Sequence, residues 1–450
     1  MAAASRPYII DTLRLAGPVA LARLGIITMA LVDVIAVGQL APAELPHQAL
    51  GWAPTAVFLV AGIGLLQGVQ VLAARAMGEG NPQGAGMALR RGLIIAIVTG
   101  IIAAVAMAAW GENLFLTFGI DAELAGPSAV VMSVLAISIP MHLIYIAGTF
   151  FLEAIKKPVI STAVMWAANI LNLVLNLWLV PEHGAVGSAW ATVGARIFLA
   201  AAILAAIWFL RDGAYYGVRK LGGKGPSYRS LFAVGIAAAV SQAVEAGAFS
   251  AMTVIAGRIG AEAVSGYQIL LNVMALVFMI AMGVGAASAV LVSEAVGRRA
   301  PQDAARAGWT GLGLNTIGML IAAAVVLIFA TPIGRAYTAD LELAALIAGL
   351  MWACALVLAP DGGQVVAASA LRARGDNWFP TFSHILSYAI VMPLLGYWLA
   401  EHHGMGVAGL VLAIFWSSVL SFAILLARWW ALARSGALPA PQTLDQSLSP

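Results

Sequence analysis

Apolar residues fall in long blocks separated by short polar stretches. The blocks run roughly over 15–40, 50–74, 92–111, 124–152, 159–181, 185–210, 230–257, 264–293, 307–333, 343–371, 379–400 and 405–427. Each covers the about 20 residues that a helix needs to cross the hydrocarbon core of a bilayer, so the pattern predicts twelve spanning helices. The polar stretches alternate in charge. Arg90 and Arg91, Lys156 and Lys157, the 211–229 connector, Arg298 and Arg299, and Arg372 and Arg374 all fall on one side with both termini. That side holds all but four of the 23 Lys and Arg; Arg258 and Arg335 lie opposite, and Arg23 and Arg196 fall inside blocks. Excess positive charge marks the cytoplasmic face, so both termini are expected there. Pro18, Arg23 and Asp33 interrupt the first block, which lacks the pattern of a cleavable signal. Arg23 is expected to snorkel toward the interface.

Composition agrees with that pattern. With 62% hydrophobic residues, 10% charged residues and a mean hydropathy of +0.96, the 450-residue chain lies outside the range of soluble domains. A sequence pI near 9.1 raises the question of a nucleic-acid partner, but the basic residues sit in the loops and topology accounts for them. The single cysteine, Cys354, excludes an internal disulfide framework. Gly283 and Gly285 resemble a fragment of a nucleotide fingerprint, yet within an apolar block they read as close helix packing. No Walker-type loop is present, so ATP is not the direct energy source.

The chain also repeats itself. A shift of 219 residues aligns Gly38 with Gly257, Gly64 with Gly283, Gly78 with Gly297, Pro82 with Pro301 and Gly92 with Gly311. A shift of 222 aligns Pro158 with Pro380, Gly187 with Gly409 and Ala191 with Ala413. The fold class that follows is an all-α membrane protein, with twelve transmembrane helices in two parallel six-helix repeats around a central cavity. The expected divisions are an N-terminal bundle over 1–210, a cytoplasmic connector over 211–229, a C-terminal bundle over 230–432 and a cytoplasmic tail over 433–450. Parallel repeats related by an axis along the membrane normal are a transporter architecture, with sites near the repeat interface.

Three acids stand well inside the blocks: Asp33, Glu245 and Asp361. Ionisable groups at membrane depth are costly and usually mark ion or substrate paths. Asp361 follows Pro360, which cannot donate to the carbonyl of Leu356, and Gly362 and Gly363 come next; together they predict a broken helix with an acid at the break. The plainer alternative is a kink whose aspartate is satisfied by a neighbouring hydroxyl. At about 1.5 Å per helical residue, Glu245 lies roughly 22 Å from Ser230 and 20 Å from Arg258, near mid-membrane, while Asp361 lies roughly 16 Å from Arg372. Glu245 and Asp361 are therefore expected to form one cation site in the C-terminal half. Two close carboxylates in a low dielectric share a proton or a metal cation; sodium, a hard ion suited to oxygen ligands, and the proton are both open. Near Asp33, Asn169, Asn172 and Asn176 recur on one helical face. They are expected either to help it form a second site or to tie helices together by hydrogen bonds.

Other polar residues inside blocks carry weaker signals. Gln268 and Asn272, one turn apart, line a cavity or pack helices. His142, Tyr145 and His384 read as contacts within the bundle. Arg196 is expected to pair with an acid or with an anionic ligand. The 16 Met and 13 Trp suit a pliable aromatic pocket and equally suit helix packing and interfacial belts.

Leu31-Val32-Asp33-Val34-Ile35-Ala36-Val37-Gly38, the stretch Asn172 to Asn176 followed by GAVGSAWAT ending at Thr192, and YQILLNVMALVFMIAMGVGAASAVLVSEAVG ending at Gly297 resemble the multidrug and toxic compound extrusion (MATE) family, with a NorM-like set of acids. The resemblance spans all twelve blocks. It implies a cation-coupled exporter of bulky, often cationic and aromatic compounds, with no cofactor beyond the coupling ion. It also implies Glu245 and Asp361 for a cation of the C-terminal half, Na+ being a candidate there, and Asp33 with Asn172 and Asn176 for a site of the N-terminal half. Thr192, Gln268, Asn272 and Pro360 are taken as lining or supporting residues. Two departures stand out: Asn176 occupies a place where some relatives carry an acid, and Arg196 puts a cation in the sixth block.

The expected function is antiport by alternating access across a bacterial cytoplasmic membrane, by a monomer, on drug-like small molecules. A lipid-linked precursor flippase of related plan would need a strongly cationic cavity, whereas only two Arg are embedded. An intramembrane lipid enzyme would need partners that His142 and His384 lack. A passive channel fits poorly with lone asymmetric acids in each half.

Overall fold

A computed structural model describes residues 2–220, 224–338 and 340–439, with side chains apart from those of 2–7 and Ala261. The first half forms α1 (Ala2–Leu40), α2 (Leu45–Gly78), α3 (Pro82–Thr117), α4 (Ala122–Ile137), α5 (Ile139–Ala154) and α6 (Pro158–Trp208). The second forms α7 (Tyr228–Ile259), α8 (Ala261–Gly297), α9 (Pro301–Ile328), α10 (Ala330–Tyr337), α11 (Leu341–Ala373), α12 (Trp378–His384), α13 (Met392–Tyr397) and α14 (Gly406–Ser435). π-helical turns, Ile385–Val391 and Trp398–His402, flank α13. Among the described residues there is no strand. Backbone N–H and C=O groups in hydrocarbon must be satisfied within the segment, which is why helices are the form such apolar blocks take.

The repeat is visible in how helices begin and end. Gly78 and Gly297 close α2 and α8, and Pro82 and Pro301 open α3 and α9, where the missing N–H costs nothing. Asn81 caps α3 by accepting from the Gly84 N–H at 3.0 Å, and Asp340 caps α11 by accepting from Glu342 at 2.9 Å.

Among the described residues, eleven helical stretches are long and apolar enough to cross a membrane. The difference from twelve arises in α6, which holds the fifth and sixth predicted blocks in one 51-residue helix that changes direction at Gly184, where φ is 53° and ψ −134°. A Cβ on Gly187 would fall 2.4 Å from the Leu179 carbonyl oxygen, so the chain has turned back on itself there. Gly406, 222 residues on, also has a positive φ of 58°. Gly409 lies against Ala400 in the same way, its Cβ position 2.7 Å from that backbone nitrogen. The fourth block is α4 and α5 end to end, with Pro140 in the first turn of α5.

The described chain forms two compact units. One comprises residues up to Ala20 with those from Val240 onward; the other runs from Leu21 to Ala239. The chain crosses between units within α1 and again within α7, and Leu21 and Val240, which follow the crossings, are related by the repeat's own shift of 219. Glycines hold each borrowed helix start. A Cβ on Gly64 of α2 would meet the Ala239 Cα at 2.6 Å, and one on Gly283 of α8 would meet the Ala16 carbonyl oxygen at 2.5 Å. Backbone cannot move aside as a flexible side chain can. Gly283→Val is accordingly expected to destabilise the protein by about 1–3 kcal/mol, read as a lower thermal midpoint in detergent. Gly349→Val, whose Cβ site has nothing within 4 Å, serves as the comparison.

The connector is fastened to the Leu21–Ala239 unit. Arg90 donates to the Gly217 carbonyl at 2.5 Å and Arg91 to that of Pro226 at 2.5 Å. Lys157 donates to both oxygens of Asp212, at 2.6 and 2.7 Å, and this holds the Asp212 carboxyl below its ordinary range. Burial, reinforced by Asp212, pushes the Tyr216 phenol up to about 12. A lowered folded-state value means that the Asp212 contribution is present above the unfolded carboxylate range and is lost as pH falls through the folded value. The pair is more than a third exposed on the acid side, so about 0.2–1 kcal/mol is expected. Asp212→Asn should flatten that acid limb of the stability curve and leave the neutral plateau lower by the same small amount.

Candidate functional site

The unit from Val240 onward has its polar centre where α7, α8, α11 and α14 meet. Glu245 of α7 and Asp361 of α11 line one cavity of about 340 Å³ together with Gln268 and Asn272 of α8. Its remaining wall is apolar and aromatic, with Phe249, Phe278 and Val357. Asp361 accepts at one oxygen from the Tyr388 hydroxyl and from Ser418, each at 3.1 Å, and the two hydroxyls lie 3.1 Å apart. Gln364, one turn beyond Asp361 on α11, points its amide at Glu245 at 3.5 Å. Gln268 donates to Thr253 at 3.3 Å. The cavity therefore brings together two carboxylates, hydroxyl and amide oxygens and a dry wall, a donor set that fits a hard monovalent ion or a proton.

Tyr388, Ser418 and Gln364 were not among the sequence-derived candidates. Tyr388 sits within the π-helical stretch Ile385–Val391, upstream of Pro393, whose missing N–H removes one regular helical bond. The wider turn resets the register and carries the phenol to Asp361; such π segments recur at functional sites.

Two expectations about α11 are corrected. The helix runs unbroken from Leu341 to Ala373 through Pro360, because packed neighbours stabilise a proline inside a membrane helix. Gly362 and Gly363 do not open the backbone to a ligand. Their Cβ positions would lie 3.0 Å from Asn315 and Met319 and 2.8 Å from Phe422, so they admit α9 and α14 to close contact.

The other unit holds Asp33, only 6% exposed. One of its oxygens accepts from Asn172 at 2.9 Å and Asn176 at 2.7 Å, and the other from Thr192 at 2.5 Å. All three partners come from α6, from both sides of its turn at Gly184. Asn169, expected on the same face, instead bonds the Gly25 and Met165 carbonyls. Asp33 also lines cavities of about 350 Å³ and about 120 Å³ that share Ala30, Trp52 and Thr192.

The embedded cations differ from expectation. Arg23 does not snorkel: it is 7% exposed and donates to Glu153 at 3.3 Å, with its guanidinium 5.1 Å from the Phe150 ring centre. Gln70 donates to the second oxygen of Glu153 at 2.5 Å. Glu153, 1% exposed, is thus a further acid within the bundle that its place at the end of a block concealed. Arg196 is 3% exposed, donates to Ser138 at 2.7 Å and lies 5.4 Å from the centre of the Trp52 ring. Tyr145 donates to the Ser161 carbonyl at 3.1 Å, and His384 Nδ1 lies 2.6 Å from the Ser241 hydroxyl.

Known proteins match nearly the full length of the chain. The MatE family model matches residues 18–178 and again 237–398, once in each half. A probable multidrug resistance protein NorM of Caulobacter vibrioides is 41% identical over 432 residues, covering 94% of this chain and 91% of its own. The multidrug resistance protein NorM of Burkholderia vietnamiensis is 30% identical over 97% of this chain and 96% of its own. Among solved structures, an outward-facing multidrug resistance MATE family transporter of the MOP superfamily superposes with a TM-score of 0.88 at 18% identity, covering 95% of this chain and 96% of that one. A eukaryotic MATE transporter gives 0.86 at 16% identity, over 96% and 98%; both likenesses speak to the fold. With each half matched by the family model and relatives aligned over nearly their full length, the chain belongs to the MATE family and is NorM-like.

Proposed function

We propose that this chain is a cation-coupled antiporter of the cytoplasmic membrane that exports bulky, often cationic aromatic compounds from the cytoplasm by alternating access, one chain being the transporting unit and both termini lying on the cytoplasmic side. The reading rests above all on one observation: Glu245 and Asp361 line the same cavity, within an otherwise apolar and aromatic wall. Two carboxylates there repel unless a proton or a sodium ion is taken up between them. Occupancy by the coupling ion thus changes the net charge of the cavity, and an ion with different affinity for two conformations shifts the balance between them by that difference. Substrate export is the return leg of the same exchange. In this reading Asp361 is held in place by Tyr388 and Ser418, Glu245 by Gln364, and Gln268 and Asn272 face ion or substrate from α8. Asp33, already given three donors, is a second charged station in the other unit.

The experiment is dye efflux from proteoliposomes holding the purified protein, with sodium and pH gradients imposed separately. Efflux that follows one inward ion gradient and stops when that gradient is collapsed is the expected result. Efflux independent of both gradients overturns the proposal.

A further inference from the structure

Arg372 stands in the last turn of α11 and is only 5% exposed. Its Nε and Nη2 have no hydrogen-bond partner among the described residues. The repeat shows how unusual that is. A shift of 219 carries the turn after α5 onto the turn after α11: Lys156 and Gly375 both have positive φ, 61° and 96°. The Lys157 N–H donates to the Leu152 carbonyl as the Asp376 N–H does to that of Leu371. Glu153 and Arg372 thus hold one position of the repeat with opposite charges. In the Leu21–Ala239 unit the acid is bonded by Arg23 and Gln70. At the places equivalent to those two partners, the unit from Val240 onward has Gln242 and Ala289, so nothing there supplies an anion. A buried guanidinium keeps its proton and is costly unless an opposite charge compensates it.

That charge lies further along α11. Gln364 and Arg372 are on the same side of the helix, eight residues apart, and helical side chains lean toward the N-terminus. The guanidinium therefore leans toward Gln364, whose amide points at Glu245 at 3.5 Å. Arg372 is within electrostatic reach of Glu245 and of His384. The space between them is polar. Gln364 Oε1 and His384 Nε2 are buried without partners among the described residues, and Ser241, one turn before Glu245 on α7, lies 2.6 Å from His384 Nδ1. Buried polar atoms are nearly always satisfied, so these open groups around one carboxylate point to a second arrangement of the same side chains. The two acids also differ in need. Asp361 has the hydroxyls of Tyr388 and Ser418, whereas Glu245 has one long contact from an amide.

We propose that Arg372 is a tethered counter-cation for Glu245, which takes the place of the coupling ion when that ion leaves toward the cytoplasm and withdraws when the next one arrives. The inference rests on the exporter reading and adds how its ion is let go. A bound ion neutralises Glu245 and deprives Arg372 of its anion; an empty cavity gives it back. The guanidinium therefore favours the empty cavity over the loaded one and lowers ion affinity by that difference. It is a positioning residue, acting on the ion through Glu245.

Ion binding to the full-length protein in nanodiscs is read as the rise in thermal midpoint with sodium at fixed pH and with acidity at fixed sodium, Asp361→Asn serving as the blank. Arg372→Met is expected to bind the coupling ion about tenfold more tightly and to run ion-driven efflux several-fold more slowly, because release lags. A residue that only supported the fold would weaken ion binding when lost. Equal or weaker ion binding by a cooperatively melting Arg372→Met protein overturns the proposal. Where that variant does not fold, adding Glu245→Gln is expected to restore folding, since the carboxylate left bare is the cause; a double variant that stays unfolded overturns it. Tighter ion binding by the variant with no ion-driven efflux in the unaltered protein supports the counter-cation and sinks the exporter reading. Ion-driven efflux with an unshifted ion affinity in Arg372→Met does the reverse.

Discussion

Glu245→Gln and Asp361→Asn, each reconstituted in proteoliposomes, are expected to lower ion-driven efflux to the level of empty vesicles while the protein remains folded in the bilayer. The amide retains the size of the carboxylate and much of its hydrogen bonding, so Tyr388 and Ser418 keep a partner in Asp361→Asn. What disappears is the charge. Each elementary charge moved across about 100 mV is worth about 2.3 kcal/mol, and at about 1.4 kcal/mol per decade that sustains a substrate gradient of roughly 50-fold. A cavity with one carboxylate has no second charge to neutralise, so ion binding no longer alters its occupancy in step with export. Tyr388→Phe, which removes one hydrogen bond and no charge, should weaken ion dependence only several-fold, in line with about 1 kcal/mol. Undiminished gradient-dependent efflux by both carboxylate variants would remove these residues from the coupling mechanism.

Glu153→Ala is expected to destabilise the protein by about 3–5 kcal/mol, the largest single stability loss foreseen. The substitution leaves the Arg23 guanidinium, 8% exposed along its side chain, without its anion, and leaves the Gln70 amide without its acceptor. The harm comes from the orphaned charge more than from the lost attraction. The double variant Arg23→Leu with Glu153→Leu should therefore recover most of the thermal midpoint, since apolar residues of similar volume commonly replace a buried pair at little cost. A double variant as unstable as Glu153→Ala would show that packing, and not charge, is what the pair supplies.

How much of this was legible beforehand follows from what a bilayer demands. Long apolar blocks are obligatory for spanning helices, so their number could be read directly, and the glycine and proline offsets exposed the repeat because close crossings and helix starts tolerate few other residues. Asp33, Glu245 and Asp361 stood out because a charge in an apolar run is rare. Their partners did not. Tyr388 and Ser418 are ordinary residues on α12's continuation and α14, and only helix crossing and a π turn bring them to Asp361. Gln364 does carry a signal in the sequence, an amide one turn from an embedded acid. Arg23, inside the first block, read as a snorkelling charge and Glu153 as an end-of-span acid, because partners 130 residues apart leave no local signal of their pairing. Pro360 misled in the opposite sense, since local propensity argues for a break that surrounding helices prevent.

The two crossings of the chain between units, at Ala20 and Ala239, bear on any attempt to study the halves apart. Cleavage in the connector would yield fragments that each lack the opening turns of one bundle and carry those of the other. Such fragments are expected to be insoluble in mild detergent singly, and to regain a sharp melting transition only when co-expressed, so that complementation in trans becomes a direct assay of the shared α1 and α7 architecture.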